Sequence, residues 1–172
     1  MPNELDRLLR LMANSLSQSE LPICQLLAAV LEESVGWIDT KATPKSKIIT
    51  LKFDGINPPL LRMHMDLYQA ILQSSAVLSW RRPGFGKIPE DIASRMAVCE
   101  IIGPTGQIKH DLVRTGLLFQ ASDITYPRHS HAAEEIYFPL TGPVDWQIEN
   151  TNWCQHEAGC FIHHLPYQPH AI

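Results

Sequence analysis

Apolar residues in the first third of the chain recur with helical spacing. Leu5, Leu8, Leu9 and Met12 stand at i, i+3, i+4 and i+7, which places them on one face of a helix. Ile23, Leu26, Leu27, Val30 and Leu31 form a second stripe. Pro22 suits the first turn of that helix, where a missing N–H costs nothing, and Gly36 suits its end. Residues 41–59 are rich in Lys, Pro, Gly and Thr, with one short strand expected at IITLKF. A third helix is expected over residues 60–79, with Leu60, Met63, Leu67 and Ile71 on one side. RRPGFGKIP then reads as a loop, by its Pro and Gly content.

From Ile92 onward the pattern changes to short β segments. MAVCEII (96–102) ends at the turn signal GPTG, and RTGLLFQAS (114–122) comes next. EIYFPL (135–140) ends at TGP, VDWQIE (144–149) alternates apolar and polar before NTN, and GCFIHHLP (159–166) begins on a glycine. Short strands with regular turn signals predict an antiparallel sandwich or barrel. The expected organisation is a helical region over residues 1–90 packed on a β unit over residues 91–172, the two acting as one functional unit.

Composition narrows the function classes. A chain of 172 residues, 45% hydrophobic and 19% charged, fits one core and is neither disordered nor fibrous. Net charge is −4 with no basic block, which argues against a nucleic-acid partner. No apolar run approaches the roughly 18 residues of a membrane span. The start, MPNELDRLLRLMANS, lacks a leader's long apolar stretch, so a cytoplasmic location is expected. Cys24, Cys99, Cys154 and Cys160 include no CxxC pair. They are expected as thiols, Cys160 being weighed as a ligand against a core thiol.

The candidate chemistry lies in HSHAAEEIY, residues 129–137. On a strand, residues two apart share a face, so His129 pairs with His131 and Glu135 with Tyr137. A turn through Ala132 and Ala133 can bring the two pairs together. Imidazole and carboxylate suit divalent transition ions such as Zn, Fe, Mn, Ni or Co. Two surface histidines beside two glutamates are the bland alternative. Only His64 lies in the first hundred residues, and the other seven histidines lie beyond, so any chemistry belongs to the C-terminal part.

The spacing from His129 to Gly142, followed by Gly159, Pro166 and His170, resembles the two motifs of the cupin superfamily. One departure is Tyr167, which stands where the second motif would place a glycine, three before His170. Tyr126, Tyr137 and the helical N-terminal half narrow the resemblance to the bacterial cupin-type dimethylsulfoniopropionate (DMSP) lyases. That resemblance implies a mainly β, cupin-type antiparallel barrel or jelly roll behind an α-helical region. It implies metal ligands at His131, Glu135, Tyr137 and His170, a base at Tyr126, and a pocket histidine at His129. Tyr137 is the alternative base. A cupin barrel normally continues past the last ligand, so a barrel truncated after Ile172, with a bare edge, is expected. Such an edge favours self-association, and the helices are expected either to cover a barrel face or to build a homodimer.

The implied reaction is β-elimination of a small zwitterion to dimethyl sulfide and acrylate. A sulfonium favours aromatic faces, which makes Trp37, Trp146 and Trp153 candidates against the plainer reading of core tryptophans. Residues 41–59 are weighed as a lid or an ordinary connector. His163 and His164 are expected as non-ligands, with at most one facing inward. His64, His110 and His156 are expected to be solvated or structural. The rival readings are another metal-dependent cupin enzyme, a dioxygenase or isomerase, and a non-enzymatic ligand-sensing cupin module.

Overall fold

The computed structural model describes residues 3–37, 62–84 and 87–172. The expected strand at IITLKF, the connector over 41–59, Leu60 and the Met63 side chain lie outside the described residues. Helix α1 spans Glu4–Leu16 and opens on Asn3, whose side chain accepts the Leu5 N–H at 3.2 Å. Leu5, Leu8, Leu9 and Met12 are all buried, as their spacing predicts. Each such side chain stabilises the fold by about 1.5–3 kcal/mol.

Helix α2 (Pro22–Glu33) begins with Pro22 in its first turn, and Gly36 follows at φ +84°. Its buried members are Cys24, Ala28, Val30 and Leu31, whereas Leu26 is 56% exposed. The stripe is therefore rotated from the expected one. Almost every position from 21 to 31 is apolar, so periodicity alone did not select the face turned toward α1. Helix α3 (Arg62–Ser74) buries His64, Leu67 and Ala70. It stops five residues earlier than expected, and a strand begins at Trp80. Trp80 is buried, faces Cys99 across the sheet, and donates its indole N–H to the Ser75 carbonyl at 3.1 Å.

The strands are all antiparallel. β1 (Trp80–Arg81), β2 (Met96–Ile102) and β3 (Thr115–Gln120) make one sheet, with the short helix α4 (Glu90–Ala93) ahead of β2. β4 (Glu135–Tyr137) pairs with β7 (Ile162–His164). β5 (Val144–Ile148) lies between β6 (Cys154–His156) and β8 (His170–Ala171). Among the described residues the expected antiparallel architecture is present, divided among three short sheets. β6 had no sequence signal, since NTNWCQHE shows no apolar alternation.

Two cores result. The larger joins α1, α2 and α3 to Ala97, Cys99, Ile101 and Ile102 of β2, so the helices cover a sheet face. The smaller gathers Trp146, Ile162 and Ile172, with Tyr126 and Tyr137 packed at its margin. His64 ties α3 to the second half: its ring meets Phe138 edge-on at 5.3 Å and lies against Gly159. His64 is therefore structural. Gly159 has φ +88°, and a Cβ there would run into the His64 ring.

Gly159→Ala therefore combines left-handed strain with a clash, and is expected to cost about 1–3 kcal/mol in urea unfolding. Gly36→Ala shares the positive φ but meets nothing within 4 Å, so its loss is expected to be smaller. Equal losses at the two positions would show that the His64 contact is unimportant.

Candidate metal site

The HSHAAEEIY segment is held on both sides by backbone pairing. His129 and His170 exchange N–H···O bonds of 3.0 and 2.9 Å, which pin the segment to β8. Downstream, Glu135 faces His164 and Tyr137 faces Ile162 across the β4–β7 pair. The turn between brings the pairs together: His131 Nε2 lies 2.9 Å from Glu135 Oε2, and His170 Nε2 lies 3.6 Å from the same oxygen. One ring nitrogen each from His129, His131 and His170 falls within 4.8 Å of the others.

The direction of these rings is set by their outer nitrogens. Nδ1 of His129 meets the Pro127 carbonyl at 2.8 Å, that of His131 meets Ala133 O at 3.2 Å, and that of His170 meets Gln168 O at 3.0 Å. A carbonyl only accepts, so each Nδ1 carries a proton, and in the neutral ring each Nε2 keeps a bare lone pair. His131 Nε2, His170 Nε2 and Glu135 Oε2 are buried without a hydrogen-bond partner. Unsatisfied buried acceptors cost about 1–3 kcal/mol each, and here three are aimed at one another. A cation resolves that conflict, and imidazoles oriented by outer hydrogen bonds to carbonyls are the usual support of a metal centre. The donor set fits a divalent transition ion.

Two phenols border the group. The Tyr126 ring stacks on His129 at 4.4 Å, and its backbone N–H bonds the Ile172 carbonyl at 2.6 Å. Burial, and then the Glu135 carboxylate, raise its pKa above the ordinary phenol value. For Tyr137, burial first and then the Glu135 carboxylate push the pKa still higher. His170 is pushed below the ordinary imidazole value, chiefly by burial.

Tyr167, at the motif's glycine position, has φ +62°, the left-handed conformation a glycine would adopt freely. Its N–H reaches the His131 carbonyl at 2.7 Å. The tyrosine thus adopts the motif's geometry while its side chain stays exposed.

The other expectations sort as follows. His163 turns away and pairs with Glu134 at 2.7 Å, while His164 faces inward and is fully buried. Cys160 stands at the margin of the smaller core, outside the histidine group. Trp37 and Trp153 are exposed, whereas Trp146 is buried with its ring 4.8 Å from that of Tyr137. His110 accepts the Leu112 and Val113 N–H groups as a turn residue. His164 and Trp146, both named from the sequence in other roles, form a layer beneath the site whose pairing sequence reasoning did not foresee. Their signal is the cross-strand register, which no local pattern reveals.

Titrating chelator-treated protein with Zn or Co is expected to raise its melting temperature. A hundredfold excess over Kd corresponds to about 2.7 kcal/mol. His131→Ala and His170→Ala should abolish the shift and His163→Ala should keep it; an equal shift in all three would place the ion elsewhere.

The buried His164 has its pKa pushed down to about 4, first by burial and then by His170 and the other histidines. The unfolded chain binds that proton near the ordinary value of about 6.5. Stability of the metal-free protein is therefore expected to be full above about 6.5 and to fall toward pH 4. Urea midpoints across this window check it, and His164→Phe should flatten the dependence.

The chain is similar to proteins of one known family. The model of the dimethylsulfoniopropionate lyase family matches residues 56–172, about two thirds of the chain. A putative DMSP lyase DddL of Cereibacter sphaeroides is 32% identical over 105 residues, 60% of this chain and 43% of the relative. DMSP lyase DddQ of Ruegeria pomeroyi is 30% identical over 103 residues, 59% of this chain and 51% of the relative. The chain thus aligns with about half the length of these curated relatives. Among solved structures, one from a study of the DMSP lyases RdDddP and RnDddQII superposes with TM-score 0.71 at 18% identity. It covers 98% of this chain and 84% of the other. DddQ of Ruegeria pomeroyi DSS-3 superposes with TM-score 0.62 at 24% identity, covering 94% and 83%. These likenesses show the cupin-type fold. With the match over two thirds of its length, the chain belongs to the dimethylsulfoniopropionate lyase family.

Proposed function

We propose that this chain cleaves dimethylsulfoniopropionate to dimethyl sulfide and acrylate by a metal-assisted β-elimination. The observation that carries this reading is the convergence of buried lone pairs from His131, His170 and Glu135, with His129 beside them and two phenols at the border. His131, Glu135 and His170 would hold the ion, with Tyr137 adjoining Glu135 as a fourth ligand. His129 is close enough to join them. Nitrogen and oxygen donors of this kind suit Zn, Fe, Mn, Ni or Co.

The substrate carries a carboxylate at one end and a dimethylsulfonium at the other. Elimination removes a proton from the carbon beside the carboxylate. The C–H electrons form the double bond, the C–S bond breaks, and the sulfur leaves with that pair as neutral dimethyl sulfide. Tyr126 is the favoured base, because burial and the Glu135 carboxylate hold the proton more firmly on Tyr137. Stacking on His129 holds the Tyr126 ring at the edge of the group. Burial and Glu135 keep its proton on, so the phenol needs a positive charge nearby to act near neutral pH. A bound divalent ion supplies that charge, and as a Lewis acid it also draws charge from the substrate carboxylate. After the elimination the Tyr126 proton returns to solvent, and acrylate departs with its carboxylate unchanged.

Headspace analysis tests the reading. Protein loaded with Fe, Mn, Zn or no metal is mixed with DMSP, and dimethyl sulfide is measured. Metal-dependent gas is expected, falling by about a hundredfold or more in Tyr126→Phe and to background in His131→Ala. His163→Ala should stay within a few-fold of the parent. Firm metal binding with no gas for any ion would overturn the lyase assignment and direct attention to oxygen uptake with iron.

A further inference from the structure

The layer beneath His170 is built with more order than a filler of the core needs. His164 is fully buried, and its ring lies face to face with that of His170, centroids 4.0 Å apart and planes 11° from parallel. On the far side, the buried Trp146 donates its indole N–H to His164 Nε2 at 2.9 Å. The indole only donates, so His164 Nε2 must accept, and the ring proton of the neutral form sits on Nδ1. That Nδ1 has no partner. An aliphatic or phenyl side chain would fill the place without the unmatched Nδ1, but it would strand the Trp146 N–H. The same two residues reach the rest of the site: Trp146 packs on Tyr137, and His164 stands opposite Glu135 across β4–β7.

We propose that His164 and Trp146 are positioning residues for the metal site. Trp146 locks the tautomer and plane of His164, and His164 in turn fixes the plane of His170, so that Nε2 of His170 stays aimed at Glu135. Ring orientation matters because a metal–nitrogen bond tolerates little misalignment, and loss of outer support usually lowers metal affinity about tenfold to a hundredfold. This inference rests on the reading of the histidine group as a metal site. It extends that reading to two residues that touch neither the ion nor the substrate. Stacking and hydrogen bonding separate by substitution. His164→Phe keeps a flat ring but strands the Trp146 N–H. His164→Leu removes the flat ring as well. Trp146→Phe with His164→Phe removes donor and acceptor together and keeps the stack.

The test has two arms on the full chain. In the first, Co(II) affinity is measured by competition with a chromophoric chelator, with the visible Co(II) spectrum reporting ligand geometry and melting temperature monitoring the fold. His164→Leu is expected to lose about tenfold to a hundredfold in affinity with an altered spectrum. The double phenylalanine variant is expected to recover most of the affinity. In the second arm, side-chain nitrogen NMR of metal-free protein is expected to find His164 as the Nδ1–H tautomer. Trp146→Phe should release that tautomer and shift the His170 ring signals. Failure of the parent protein to bind Co(II) would remove the metal reading, and the NMR arm would still decide whether His164 orients His170. Unchanged His170 signals in both His164→Leu and Trp146→Phe would overturn the proposal. So would parent-like Co(II) affinity and spectrum in a folded His164→Leu, even if it melted earlier, since a purely structural role predicts that result.

Discussion

Three imidazoles are turned inward because their outer nitrogens are spoken for. Nδ1 of His129, His131 and His170 each bonds a carbonyl within two residues of its own position, so each ring is oriented by its own stretch of chain. The consequence is a cluster of lone pairs from His131, His170 and Glu135 that no protein donor satisfies. In a folded protein such a cluster is destabilising on its own. It persists because the surrounding backbone is over-determined: the His129–His170 bridge, the β4–β7 pair and the Tyr167 N–H all fix the segments that carry it.

The rest of the molecule can be understood as support for that cluster. The larger core, with α1 and α2 against β2, contributes ordinary hydrophobic stability and no candidate chemistry. His64 carries that stability across to the turn at Gly159, which leads into β7. β7 then presents His164 on the inner side and His163 on the outer. The smaller core is more aromatic and includes the tyrosines that border the site. Packing there constrains ring planes rather than simply excluding water, which suits a place where direction matters more than volume.

Some expectations were met because they rest on local rules. The α1 stripe follows from a 3.6-residue period on a strongly two-faced segment, and MAVCEII coincides with β2 because an apolar run interrupted only by Glu100, before a turn signal, leaves few alternatives. The helix–strand boundary near residue 75 was misjudged for the opposite reason. Trp80 enters β1 only because Cys99 of β2 lies opposite it, a partner nineteen residues away. Tyr167 is instructive in the same way. By type it breaks the glycine rule of the second motif, yet its backbone takes the left-handed conformation that glycine adopts most freely.

The sequence by itself determined the composition of the site: HSHAAEEIY and the following His170 place imidazole, carboxylate and phenol at spacings that a β turn and one returning strand can gather. It also determined that an apolar helical layer precedes a β unit. Only the tertiary structure decided how the donors meet. It drew His129 into the histidine group, packed Tyr137 against Trp146, and set His164 under His170 with Trp146 bonded to it. The physical reason is register. Side-chain spacing along one strand is fixed by the local backbone, whereas which residue faces which across two strands depends on the pairing of segments far apart in the chain.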